Sequence, residues 1–196
     1  MRSTSIRIAA GIAAIVTAFA VSSCSKTENH AEHVSTTAAA SDQVAVHNDA
    51  DVMFAQMMIP HHEQAVQLAA MVPEHSTNGA VIALASTISA QQQPEISAMK
   101  ALLLQWDVDP HKSADHGSMG MSGMVDDATM AKLGTLNGQE FDTLWLQSMI
   151  SHHQGAIEMA NTEIADGKSP DMISMAKNIV SAQQAEIDQM KKMLGG

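Results

Sequence analysis

The sequence contains a tandem duplication in which matching residues are separated by 91 positions. The segment MIPHHEQAV at 58–66 returns as MISHHQGAI at 149–157, and QQPEI at 92–96 returns as QQAEI at 183–187. The offset stays constant, without a gap, across about fifty positions. Each copy of such a repeat is one supersecondary unit, and neighbouring copies bury their apolar faces against each other. The chain is therefore expected to fold around two equivalent halves.

Hydrophobic periodicity predicts two helices in each half. Apolar residues recur at helical spacing over 50–72, where the helix is expected to end near Pro73, and over 79–106. The second half repeats the pattern near 138–165 and 170–194. Aromatic residues make up only 3% of the chain, which argues against an all-β fold. The predicted fold class is all-α, a four-helix bundle made of two tandem helical hairpins.

The N-terminal residues are expected to direct export. Two arginines precede an apolar run at 8–20, which is too short to span a bilayer as a helix but fits the core of a signal peptide. The run ends in VSSC, which resembles a bacterial lipobox, so we expect cleavage before Cys24 and lipidation of this residue. An ordinary secretory leader with an incidental cysteine is the alternative. The lipobox interpretation anchors the protein to the cell membrane or outer membrane, facing the periplasm or the extracellular side.

The repeat and the leader together define the expected domain plan. Residues after the leader are rich in Ser, Thr, Ala and His without a sustained period, which is typical of a flexible tether. The duplicated domain is expected to fill the rest of the chain, at 49–196. We assign 1–23 to the signal peptide and 24–48 to the tether. Repeat one is assigned to 49–110, the connecting loop to 111–127 and repeat two to 128–196.

Charge and cysteine content exclude several classes of protein. The formal net charge is −11, whereas nucleic-acid binding needs a basic surface. A single cysteine excludes a disulfide framework and any site built from clustered thiolates. Ten histidines and sixteen methionines are the unusual donor groups that a functional interpretation must explain.

Polar residues occur on faces of the predicted helices that point into the bundle. His62 lies one turn after Met58, and alanines continue the same face, while Glu95 shares an apolar stripe on the partner helix. Buried imidazoles and carboxylates need partners. They form either a His–Glu network that sets helix register or a metal site. The candidate interior ligands are Met58, His61, His62, Glu95, Met99, Met149, His152, His153, Glu186 and Met190.

Ligand chemistry favours copper for this interior site. Neighbouring residues differ by about 100° around a helix, so one histidine of each pair is expected to bind the metal. We select His62 and His153, with His61 and His152 as supporting or alternative ligands. A di-iron bundle uses Glu-x-x-His on two helices, and this chain contains no such motif. Imidazole with thioether suits copper, with Cu(I) preferred and Cu(II) as the second option.

The segment between the repeats is a second candidate copper site. The residues HKSADHGSMGMSGM at 111–124 interleave methionine with glycine and serine and have no amphipathic period, so these methionines are not placed to fill a core. Glycine lets the backbone fold tightly around a soft cation. A plain linker with incidental methionines is the alternative. The candidate loop ligands are His116, Met119, Met121 and Met124.

These motifs resemble a known family. The segment FDTLWLQSMISHHQGAIEMA at 141–160 resembles the signature of the domain-of-unknown-function 305 family. The segments MIPHH at 58–62, QPEI at 93–96 and MSGM at 121–124 resemble its first-repeat and inter-repeat motifs. The resemblance covers about 49–196. It implies a ferritin-like four-helix fold, export and, as in some members, periplasmic copper binding that assists copper tolerance.

The sequence therefore predicts an exported copper-binding protein that buffers or chaperones copper or supports copper tolerance. A copper transporter or a copper oxidase is the candidate protein partner, and the oligomeric state stays open. No nucleophile–base arrangement is visible, so an enzyme is not expected. Two alternatives remain, which are a ferritin-like metal oxidase with a paired-metal site and a helical interaction module that binds no metal.

Overall fold

The helices follow the predicted order, with one addition. The computed structural model describes residues 46–111 and 122–195, and this part of the chain contains helices and no strand. The lipidation site at Cys24 and the leader lie outside the described residues. No helix within the described ranges is long and apolar enough to cross a membrane. The helices are α1 Asp49–His75, α2 Gly79–Gln105, α3 Asp127–Leu133, α4 Gly138–Asp166 and α5 Pro170–Gly195.

The four long helices form two hairpins. Helix α1 packs along α2, α4 packs along α5, and the hairpins join mainly through α1 and α4. At this joint, Nε1 of the buried Trp145 donates to the carbonyl oxygen of Leu68 at 2.8 Å. The bundle of tandem hairpins predicted from the repeat is therefore confirmed.

Prolines lie inside the helices without breaking them. Helix α1 contains Pro60 and Pro73, and α2 contains Pro94. Each proline removes one backbone donor, but the flanking turns keep their own hydrogen bonds. Helix α1 extends two residues beyond Pro73, where the N–H of Ser76 donates to the carbonyl oxygen of Val72 at 2.8 Å and closes the last turn.

The short helix α3 is the element that periodicity does not predict. Its seven residues are too few to display an amphipathic pattern. It begins after Asp126, whose Oδ1 accepts a hydrogen bond from the N–H of Thr129 at 2.7 Å, and it ends with the fully buried Leu133. A cap and one anchoring side chain therefore specify this helix, which links the central loop to α4.

The core consists of two apolar clusters separated by a polar layer. The first cluster includes Val72 and Phe141, near the turn between α1 and α2. The second includes Phe54 and Met172, near the turn between α4 and α5. All four long helices place polar side chains between the clusters, at equivalent positions of the two repeats. This histidine layer comprises His61, His62, Gln92, Glu95, His152, His153, Gln183 and Glu186.

Candidate metal centre

The four histidines of the layer lie at the joint between the hairpins. Each is 0% exposed, which confirms the expectation that both pairs point into the bundle. His61 and His62 lie on α1, and His152 and His153 lie on α4, the two helices that join the hairpins. The rings of His61 and His152 are in contact in a tilted arrangement, with centroids 3.7 Å apart and planes inclined by 37°.

Burial keeps this pair of rings uncharged. Burial, followed by the nearby His62, lowers the pKa of His61 to about 3. Burial also places the pKa of His152 far below its ordinary value of 6.5, with His61 as the next cause. A neutral imidazole keeps a lone pair on one nitrogen, and this is the form that binds a metal ion.

The other two histidines are held by carboxylates across each hairpin. Nε2 of His62 lies 2.8 Å from Oε2 of Glu95, and Nε2 of His153 lies 2.7 Å from Oε2 of Glu186. In a neutral ring, donation from Nε2 leaves the lone pair on Nδ1. A carboxylate that accepts from one ring nitrogen is also the common support of a histidine that binds metal through the other. Both the predicted network and the predicted metal site are compatible with these pairs.

Every histidine of the layer keeps at least one ring nitrogen without a hydrogen-bond partner. Nδ1 is unpartnered in His61, His62 and His153, and both ring nitrogens are unpartnered in His152. Nε2 of His61 lies 3.3 Å from the carbonyl oxygen of Ser122, which can accept a hydrogen bond from it. Four Nδ1 atoms are therefore buried in one layer without a hydrogen-bond partner, and each can bind a cation when its ring carries the proton on Nε2.

Two glutamines belong to the same layer and were not among the predicted ligands. Gln92 and Gln183 are 2% and 3% exposed and lie one turn before Glu95 and Glu186. Both amide atoms of Gln92, Oε1 of Gln183 and Oε1 of Glu186 have no hydrogen-bond partner. Buried polar atoms are rarely left without a hydrogen-bond partner, so the number of unpaired atoms in this layer indicates a binding site for a polar ligand or an ion. Their equivalent positions in the two repeats are the sequence signal that identifies them.

Thioethers line both sides of the layer. Met58 and Met149 lie one turn before the second histidine of each pair, and Met99 and Met190 lie one turn after the glutamates. All four are 0% exposed. Met58 and Met99 belong to one apolar cluster, whereas Met149 and Met190 belong to the other. Soft sulfur donors are thus available from either side of the imidazoles.

Nitrogen and oxygen ligands alone do not complete a metal site in this arrangement. Among the described residues, no group of three or more His, Cys, Asp or Glu side chains is placed to hold one metal ion. The donor set that the layer offers is therefore a small number of imidazoles together with thioether sulfur. This set matches soft metal ions rather than hard ones.

The end of the methionine-rich loop docks on the layer. The carbonyl oxygen of Ser122 faces His61, and its hydroxyl donates to Oε2 of Glu158 at 2.7 Å. Met124 is half-buried in the same stretch. The other predicted loop ligands lie outside the described residues, namely His116, Met119 and Met121.

Divergence between the repeats makes room for this loop. Gln64 and Gly155 occupy equivalent positions. The side-chain amide of Gln64 both donates to and accepts from the backbone of Val125, at 2.8 Å in each case. A Cβ atom at Gly155 would collide with the backbone of Ser122, and Gly123, with φ of +83°, sits against the same turn of α4. The departure from the repeat at this position is the sequence signal for loop docking.

Fold and layer together define a class of protein, a duplicated four-helix bundle with a buried layer of histidine and carboxylate flanked by methionine. The family model described as "Domain of unknown function (DUF305)" matches residues 51–194. The chain belongs to the DUF305 family. No curated protein sequence matches the chain.

Solved structures of related proteins share the fold. A DUF305 protein from Streptomyces coelicolor, inferred to be secreted, is 33% identical over 74% of this chain and 92% of its own, with a TM-score of 0.71. A DUF305 fragment from Deinococcus radiodurans is 34% identical over 76% of this chain and 97% of its own, with a TM-score of 0.69. CopM in the Cu(II)-bound form is 32% identical over 74% and 95%, with a TM-score of 0.64. CopM has also been solved in Cu(I)-bound, Ag-bound and apo forms.

Proposed function

We propose that this protein binds copper, with Cu(I) preferred, and buffers it or passes it on outside the cytoplasm. The observation that carries the proposal is the histidine layer, in which four buried imidazoles keep an unpartnered Nδ1 between two sets of buried thioethers. The copper-bound structures of the related CopM support the choice of metal. The leader sequence and the S. coelicolor relative support export, and the VSSC segment supports a lipid anchor at Cys24.

Copper would be held as cargo by nitrogen and sulfur. His62 and His153 are the preferred ligands, each through Nδ1, because Glu95 and Glu186 can accept a hydrogen bond from the N–H at Nε2. In this proposal the two glutamates, which the sequence suggests as ligands, orient the imidazoles instead. The four buried methionines supply thioether sulfur, which selects Cu(I) over harder ions.

The docked loop suggests a route for copper. Its methionines are candidates to capture Cu(I) from solution, since Ser122 to Val125 hold the end of the loop directly against His61. Copper would then exchange from the loop into the layer. Thioethers carry no charge and do not titrate, so capture by the loop is expected to persist in acid.

Metal analysis of protein purified without an affinity tag tests the function. We expect copper to be present, at one or more ions per chain, after exposure to Cu(I). A pair of iron ions per chain, with consumption of dioxygen on addition of ferrous ion, would instead support the metal oxidase. Absence of any bound metal after copper exposure would support the interaction module, in which the His–Glu pairs only set helix register.

Replacing Met119 and Met121 with serine is expected to reduce Cu(I) capture without affecting the fold. Both lie in the polar, glycine-rich loop, so the free energy of unfolding without metal should change by no more than about 0.5 kcal/mol. Binding of Cu(II) should change little, since that ion prefers nitrogen and oxygen donors. Competition against a chromogenic Cu(I) chelator, together with thermal unfolding, measures both effects.

The matched control is Met53→Ser, which removes a thioether from a side chain that is 47% exposed on α1. It should leave Cu(I) capture unchanged. Equal capture by the loop variant and the parent would mean that the loop is only a linker, and the copper proposal would then depend on the histidine layer alone.

A further inference from the structure

The two repeats use one equivalent aspartate in different ways. Asp51 and Asp142 are 91 positions apart. Asp51 is 0% exposed, and its carboxylate accepts hydrogen bonds from the backbone N–H groups of Asn48, Lys168 and Ser169, at 2.6, 3.1 and 2.8 Å. It thereby fastens the start of α1 to the turn between α4 and α5.

Asp142 has no such partners. The turn that corresponds to 168–169 is 77–78, but the N–H of Asn78 donates to the hydroxyl of Ser76 at 3.1 Å instead. Asp142 is 9% exposed, and its Oδ1 has no hydrogen-bond partner. A carboxylate that is nine-tenths buried with an unpaired oxygen is costly, so this position calls for a donor that the bundle does not supply.

Asp142 lines a cleft of about 450 Å³ at the end of the bundle where the turn between α1 and α2 lies beside the start of α4. The other polar groups in the wall include the side chains of Thr77 and Thr143, and Leu146 and Leu194 provide apolar surface. None of the residues that line the cleft is basic. The volume is in the range of small-molecule sites, about 300–1,000 Å³, and is sufficient for one long side chain.

We infer that this cleft binds a primary ammonium group at the end of an aliphatic chain. The ammonium donates to the carboxylate of Asp142, whose side chain lines the cleft, and to the neighbouring hydroxyl oxygens, and the aliphatic chain lies along Leu146 and Leu194. One carboxylate balances one positive charge, whereas a divalent cation would need further charged oxygens. The site lies outside the histidine layer and is independent of copper binding.

The side chain of a lysine on another protein and a free polyamine both carry this chemistry. The net charge of −11 attracts either ligand over long range. A lysine side chain has a single ammonium and an aliphatic stem of four carbons, which corresponds to the single carboxylate and the apolar wall of the cleft. A polyamine brings additional ammonium groups, and these gain nothing from a cleft that holds one carboxylate.

Titration of the full-length protein with n-butylammonium, followed by backbone amide NMR, tests the inference. We expect saturable shifts at residues 77, 78, 142 and 143, with a dissociation constant on the order of 10 mM for so small a ligand. Methylammonium should bind several-fold more weakly, because it has no stem. Nα-acetyl-lysine methylamide and spermidine, compared at equal ionic strength, then distinguish a protein side chain from a free polyamine by which binds more tightly.

Two variants and one control distinguish the contribution of the carboxylate to binding from the contribution of the apolar wall. Asp142→Asn should abolish saturation, and Glu140→Gln, which removes the same charge from an exposed position of α4, should not. Leu194→Ser, at a side chain that is 37% exposed, should fold normally and remove the advantage of butylammonium over methylammonium. Linear shifts that are the same in the parent and in Asp142→Asn would overturn the inference. Saturation of the same amides by Ca²⁺ but not by butylammonium would overturn it as well.

Discussion

Replacement of both His62 and His153 by glutamine is expected to lower the Cu(I) affinity of the protein while preserving its helical bundle. The side-chain amide of glutamine can donate to Glu95 and Glu186 as Nε2 of histidine does, but it has no atom that corresponds to the lone pair of Nδ1. Loss of an outer partner of a metal ligand already costs about 10–100-fold in affinity, so loss of the ligands themselves should cost at least that much. Competition with a Cu(I) chelator measures the affinity, and far-UV circular dichroism with thermal unfolding measures the fold.

The matched control is His75→Gln. His75 lies near the end of α1, where its Nδ1 contacts the carbonyl oxygen of Leu136 and its ring stacks on Phe141, outside the histidine layer. This variant should retain the Cu(I) affinity of the parent. If the double variant also retained that affinity but lost much of its stability, the His–Glu pairs would be a structural network and the copper site would lie elsewhere.

The fold could be predicted from the sequence because the same pattern of apolar and polar residues occurs twice at a constant offset. A single amphipathic segment leaves the partner helix unknown, but a constant offset fixes two hairpins with equivalent inward faces. The burial of His62 and His153 follows directly from this reasoning and is confirmed. Helix α3 was not accessible, because its cap at Asp126 and its anchor at Leu133 have no periodic signature.

The chemistry of the layer was accessible only in part. Sequence identifies inward histidines and glutamates, but the hydrogen-bonded atoms depend on distances across each hairpin. The contact between Nε2 of His62 and Oε2 of Glu95 determines that Nδ1 is the free nitrogen. It also changes the interpretation of Glu95, from a direct ligand to a group that orients the ring.

Equivalent positions of the two repeats make different contacts, and these differences indicate separate roles for the two copies. Gln64 holds the loop backbone, while its equivalent Gly155 leaves room for it. Asp51 is saturated by backbone donors, while its equivalent Asp142 is not. In both cases the packing of a duplicated bundle needs only one copy of a contact, so the other copy is free to acquire a different role.

Glu163→Gln is expected to flatten the dependence of stability on pH. Glu163 is 1% exposed, and burial, followed by the neighbouring carboxylate of Asp51, raises its pKa from 4.5 to about 8. Burial alone would raise the pKa of Asp51, but the neighbouring Glu163 and hydrogen bonds from backbone N–H groups hold it below its ordinary value. Near neutral pH, Glu163 therefore keeps its proton in the folded protein and Asp51 carries the charge.

The sign of the effect follows from proton release on unfolding. Between pH 4.5 and about 8, Glu163 is protonated in the folded chain and ionised in the unfolded chain, so its contribution to stability is complete below pH 4.5 and is lost as the pH rises through about 8. The free energy of unfolding of the parent should fall by up to about 1.4 kcal/mol per pH unit in this interval from this residue. The variant stays neutral beside Asp51 at every pH, so its free energy of unfolding should rise steadily relative to that of the parent from pH 5 to pH 8.

Urea unfolding of the metal-free protein at pH 5, 6.5 and 8 measures this difference directly. Glu74→Gln removes the same charge from an exposed position of α1 and should give curves parallel to those of the parent. A constant difference between Glu163→Gln and the parent at all three pH values would mean that Glu163 ionises normally in the folded state. The junction between α1 and the α4–α5 turn would then have to accommodate two adjacent carboxylate charges, which the burial of both side chains argues against.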